Sequence, residues 1–141
     1  MNRWIKALVA VTMVVGAVAI QSRVVSADAV GSDGAAAYAG EMWHMLPQID
    51  RLAAQMDRTL AAAVVKPELQ AELADLAKRA EFMVYDLENT EAPAAVADAH
   101  ERLVFALRQL NEVGQIGVED PEGARNLYDT YEPMLEAAGR D

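Results

Sequence analysis

From 67 to 89 the apolar residues Leu69, Leu73, Leu76, Ala80, Met83 and Leu87 recur at steps of four, three, four, three and four, which is one stripe of a helix. Pro67 stands at a first helical position, where its missing N–H would be unpaired anyway. Asn89 and Thr90 leave helical geometry cheaply and mark the end. A stripe through Met42, Met45, Leu46, Ile49, Leu52, Ala53, Met56, Leu60, Ala63 and Val64 predicts a helix before it, from about 41 to 65. Pro47 interrupts that helix without slipping its apolar phase, so a kink is expected there. Val96, Ala99, Leu103, Ala106, Leu110 and Val113 predict a third helix, with Thr90 as its N-cap, Glu91 facing its positive end and Gly114 and Gly117 as its stop. The pairs Asp98–Arg102 and Arg108–Glu112 are spaced i,i+4 and belong on its outer face. Asp120, Pro121 and Glu122 read as N-cap, first position and first-turn acid of a fourth helix. Its stripe is Ala124, Leu127, Tyr131, Met134 and Ala138, with Pro133 as an interior break and Gly139 as a stop.

Seams this narrow cannot remain in water alone, because short helices gain most of their stability by burying one face. Four of them joined by short loops must fold back on their neighbours, so the predicted class is all-α, an antiparallel up-down-up-down four-helix bundle over 41–139. No alternating strand pattern and no repeat of solenoid length is present.

The hydrophobic pattern differs before 28. Arg3 and Lys6 precede an apolar run from 7 to 20, well short of the ~20 residues that span a bilayer, and small residues follow a polar step. This is the form of a secretory signal peptide, 1–27, with cleavage after 27 or 29. It predicts a periplasmic or secreted protein with no stable membrane embedding after cleavage. The small, Gly-rich stretch 28–40 is expected to be a flexible leader.

Charge and composition narrow the chemistry. The net charge is −10, and residues 1–27 hold Arg3, Lys6 and Arg23 but no acid, so their removal leaves −13. Such a surface repels phosphate backbones and excludes nucleic acid as a partner, while favouring cationic partners or metal ions. The absence of cysteine excludes disulfides, thiolate nucleophiles, iron–sulfur clusters, c-type haem and Cys-based zinc sites. Beyond 27 the single serine is Ser32, in the expected leader and far in sequence from both histidines. With neither a nucleophile nor a phosphate-cradling glycine motif, the chain is not expected to be an enzyme.

Up-down order would gather the unusual residues at one end. Met42, Trp43, His44, Met45 and Pro47 come from the first helix, Phe82, Met83 and Tyr85 from the second, His100 from the third, and Tyr128, Tyr131, Pro133 and Met134 from the fourth. Thioether and imidazole donors suit Cu(I), and His with Met can also hold a b-type haem in a bundle. The candidate ligands are therefore Met42, His44, Met45, Met83, His100 and Met134. Phase opposes the simplest version, since His44 shares a helix face with Arg51 and Arg58, and His100 lies on the flank of its stripe. The competing reading has the methionines filling gaps near a bundle end and the histidines on the surface. Glu41-x-x-His44 has di-iron spacing, but its second copy is missing because position 97 is alanine. Two readings follow: an exported binding or accessory module, meeting a protein partner in the periplasm or a second copy of itself, or a Met/His carrier of copper or haem b.

Overall fold

The computed structural model describes residues 29–138, with side chains from 34 to 133. The expected signal peptide, the Met134 side chain and Gly139 lie outside the described residues. Among these residues the chain is all-α, comprising α1 (Ala29–Ala63), a 3-10 turn (Pro67–Leu69), α2 (Gln70–Glu88), a second 3-10 turn (Ala94–Val96), α3 (Ala97–Glu119) and α4 (Pro121–Ala138). No helix among them is long and apolar enough to cross a membrane.

Helix α1 already includes 29–40, so the described part of the expected flexible leader is helical. Ala35 and Tyr38 continue the three-four step backward from Met42, and both are buried. Nothing lies within 4 Å of a Cβ added at Gly34 or Gly40, so these glycines occupy open helix surface. There each costs about 1 kcal/mol relative to alanine, which the alanine-rich context and the burial of Tyr38 offset. The helix continues through Pro47, whose side chain is exposed.

Two expected ends differ as well. Thr90 does not cap α3: its Oγ1 donates to the Asp86 carbonyl at 2.8 Å while Asn89 Nδ2 donates to the Tyr85 carbonyl at 2.7 Å. The first satisfies an acceptor that the last turn of α2 leaves without a helical partner, and the second joins the Asn89 backbone N–H already on the Tyr85 carbonyl at 3.2 Å. Gly114 and Gly117 do not stop α3, which runs on to Glu119. They are buried points of close approach. A Cβ at Gly114 would lie 2.8 Å from both Ala77 Cβ and Met56 Cε, and one at Gly117 would lie 2.8 Å from Leu73 Cδ1 and 3.2 Å from Leu60 Cδ2. Glycine is used here for its missing side chain, and no described residue has a positive φ. The start of α4 is as the sequence predicts, with Gly123 N donating to Asp120 Oδ1 at 2.9 Å.

The helices share one apolar core that runs from Tyr38 and Met42 on α1 to Ala124 and Tyr128 on α4. α2 and α3 pack most extensively, α3 and α4 next, and α1 meets all three. Between α1 and α2, Arg79 donates to Gln55 at 3.1 Å and Thr59 to Glu72 at 3.2 Å. Asn111 donates to the Ala77 carbonyl at 2.8 Å, and Arg108 pairs with Glu88 across α2 and α3 instead of with Glu112 on its own helix. Glu112 accepts from the Tyr131 hydroxyl of α4 at 3.1 Å. Arg125 of α4 closes the circuit on Asp57 of α1 at 2.8 Å. On α4 the buried ring is Tyr128, while Leu127 is only half-buried, so its inward face is rotated from the predicted stripe.

Candidate functional site

The predicted cluster of donors and rings divides into an inside and an outside. Met42 is fully buried, and Met45 and Met83 are partly buried against the core. His44 is exposed, as are Arg51 and Arg58 on the same face, so it does not join Met42 and His100. His100 is 8% exposed, which corrects the expectation that both histidines are surface groups. The rings of Trp43, Phe82 and Tyr85 are turned out, at 72%, 60% and 65% exposure.

His100 is the centre of a polar link between three helices. Its Nε2 lies 3.0 Å from the Leu87 carbonyl oxygen and its Nδ1 3.0 Å from the Tyr38 hydroxyl. A carbonyl only accepts, so Nε2 carries the proton, and in the neutral ring Nδ1 then accepts from the Tyr38 O–H. The two rings sit 5.7 Å apart and tilted by 56°. Leu87 lies in the last turn of α2, where carbonyls lack helical partners, and its oxygen also accepts from Thr90 N at 3.0 Å. The imidazole of α3 therefore finishes the end of α2 and holds the first half of α1 against it. Burial raises the pKa of the Tyr38 phenol, which favours the protonated donor that this link uses.

This arrangement bears directly on ligand chemistry. Both nitrogens of His100 are engaged within the fold, so binding a metal there would mean giving up a buried hydrogen bond. No three or more His, Asp or Glu side chains converge as a metal-binding group among the described residues. Tyr38 was absent from the sequence-predicted set because it fell in the expected leader. The signal was the step of four from Tyr38 to Met42.

Two open grooves mark the surface, and the first borders the link. One, of about 620 Å³, runs between Tyr38 and Glu41 of α1 and the 89–94 connection. The other, of about 380 Å³, lies between α1 and α2, with Gln55 and Arg79 on its sides and Phe82 as a wall. Elsewhere, Tyr128 is buried with the Arg125 guanidinium 5.5 Å above its ring. Burial raises its phenol far above the ordinary range, and the carboxylates of Asp57, Glu132 and Asp129 push it the same way while Arg125 opposes them. Burial also raises the Asp50 carboxyl. Its Oδ1 and Gln109 Oε1 are buried without a hydrogen-bond partner among the described residues.

No family model, curated protein or solved structure matches the chain.

Proposed function

We propose that this chain is a small exported, non-enzymatic binding or accessory module built as an antiparallel up-down-up-down four-helix bundle. The residue pairs 59 with 72 and 55 with 79, 73 with 117 and 88 with 108, and 117 with 124 and 112 with 131 support that order, since numbers rise in one helix as they fall in the next. The pairs 38 with 100 and 56 with 114 support α1 and α3 running the same way. The apolar run after Arg3 and Lys6 supports export to the periplasm or the exterior.

The observation that carries the binding reading is the allocation of the one buried imidazole. His100 spends both nitrogens on holding helices together, and the rings of Trp43, Phe82 and Tyr85 face solvent. An outward-facing aromatic surface on a rigid helical frame serves recognition of a partner better than chemistry on a small substrate. The alternative carrier would place copper or haem b among Met42, His44, Met45, Met83, His100 and Met134. The exposure of His44 and the engagement of His100 weigh against it.

The two are separated on protein recovered from its native compartment. The expected result is a visible spectrum without a Soret band, and Cu(I) affinity against a competing chelator that is unchanged in the Met42→Leu, Met45→Leu variant. A Soret band, or tight Cu(I) binding lost in that variant, would replace the binding-module reading with the carrier.

A further inference from the structure

The groove of about 620 Å³ between α1 and the 89–94 connection is of a size that holds small ligands. Its polar side chains are Tyr38, Glu41, Asn89, Thr90 and Glu91, and the rest of its wall is glycine, alanine and proline. The fold has already committed the donors among them. The Tyr38 hydroxyl donates to His100 Nδ1, the Thr90 hydroxyl to the Asp86 carbonyl and the Asn89 amide to the Tyr85 carbonyl. A hydroxyl whose hydrogen is engaged can only accept, and a carboxylate has no hydrogen to give. Asn89 retains one amide hydrogen, and its oxygen accepts. The Glu41 and Glu91 carboxylates have no ion-pair partner among the described residues, and no basic residue lines the groove. Asn89 also caps α2, so the negative carbonyl end of that helix lies beside the groove.

From these commitments we infer that the groove binds a linear aliphatic di- or polyamine. An ammonium group carries three donors and no acceptor, which is the complement of a wall whose side chains mainly accept. Its charge matches Glu41 on one side and Glu91 on the other, and its methylene stem packs on the alanines and Pro93 between them. An anion or an acceptor-rich ligand finds no cationic partner there. A metal ion is the other species that acceptors attract, but no three or more His, Asp or Glu side chains converge among the described residues. The inference goes beyond the binding-module reading: it concerns the α2–α3 connection and not the exposed rings.

The test is calorimetric titration of the full mature protein with spermidine. The expected result is saturable binding that weakens with added salt and falls by about tenfold or more in Glu41→Gln, Glu91→Gln. Ala37→Leu adds bulk to the groove at an exposed position of α1 without changing charge, and should remove binding. Glu68→Gln, Glu122→Gln makes the same charge change at two exposed positions outside the groove, and should leave binding unchanged. Circular dichroism checks that the helices persist in each variant. Failure to bind, or binding retained in Ala37→Leu, would overturn the proposal. An equal loss in the Glu68, Glu122 variant would do so too, by assigning the affinity to the acidic surface as a whole. So would equal binding of an aliphatic diol of the same length, or displacement of spermidine by magnesium ions at the same concentration. Each of these failures leaves the binding-module reading standing, since that reading falls only to a resident haem or copper.

Discussion

At the scale of single residues, the Tyr38–His100–Leu87 link is where most chemistry is concentrated and where substitution is most informative. Tyr38→Phe strips the donor from a buried Nδ1, and such orphaning costs about 1–3 kcal/mol. His100→Ala removes the bonds to both partners and leaves a space, with an expected loss of about 2–4 kcal/mol. Because both changes remove the same bond, the double variant should be more stable than the sum of the singles implies, by about 1 kcal/mol. Urea midpoints for the four proteins would show this, and strict additivity would mean that the bond does not form. A pH dependence belongs at this scale too. The phenols of Tyr38 and Tyr128 are raised in the folded chain and titrate near about 10 when unfolded. Above that value the unfolded chain binds fewer protons than the folded one, so stability falls as pH rises. Melting temperature should hold between pH 7 and 9 and drop progressively above about 10, with a smaller drop in Tyr128→Phe.

At the scale of elements, the glycines show how the same residue does opposite work. Replacing glycine by alanine within a helix normally gains about 1 kcal/mol. At Gly34 and Gly40, where an added Cβ meets nothing within 4 Å, that gain should appear as a higher melting temperature. At Gly114 the new carbon would lie 2.8 Å from Ala77 Cβ. Alanine is fixed in place there, so the helices must separate, and overpacking costs about 1–3 kcal/mol. Gly114→Ala should therefore destabilise despite its better helix propensity. Thermal melts of these variants decide the matter, and a stabilised Gly114→Ala would show that α2 and α3 do not approach as described. The apolar stripes of α1, α2 and α3 were legible in the sequence because each is a local period of the chain. The role of the two glycines was not, because a helix stop and a helix contact share the same letter.

At the scale of the whole molecule, an acidic surface works against compactness. With a net charge of −10, self-repulsion disfavours the folded state and is screened by salt within about 10 Å at 0.1 M. Raising sodium chloride from about 0.01 to 0.2 M should therefore raise the melting temperature. Solvent-exposed pairs such as Arg108–Glu88 lose strength over the same range, but such pairs contribute about 0.2–1 kcal/mol. A melting temperature that falls with salt would mean that ion pairing outweighs repulsion.

The division between what one dimension contains and what three dimensions add follows the range of the forces involved. The sequence alone determined that the described chain is helical, where the stripes of α1 to α3 lie, and that Asp120 starts α4, because periodicity and capping act within a few residues. The tertiary structure decided that α1 already includes 29–40, that α3 passes through its glycines, and that Tyr38 belongs to the core. It also decided that His100 is committed to its neighbours while Phe82 and Tyr85 face outward. Each of those outcomes depends on where a helix distant in sequence comes to rest, and burial by such a partner is worth more than the local preference it overrides.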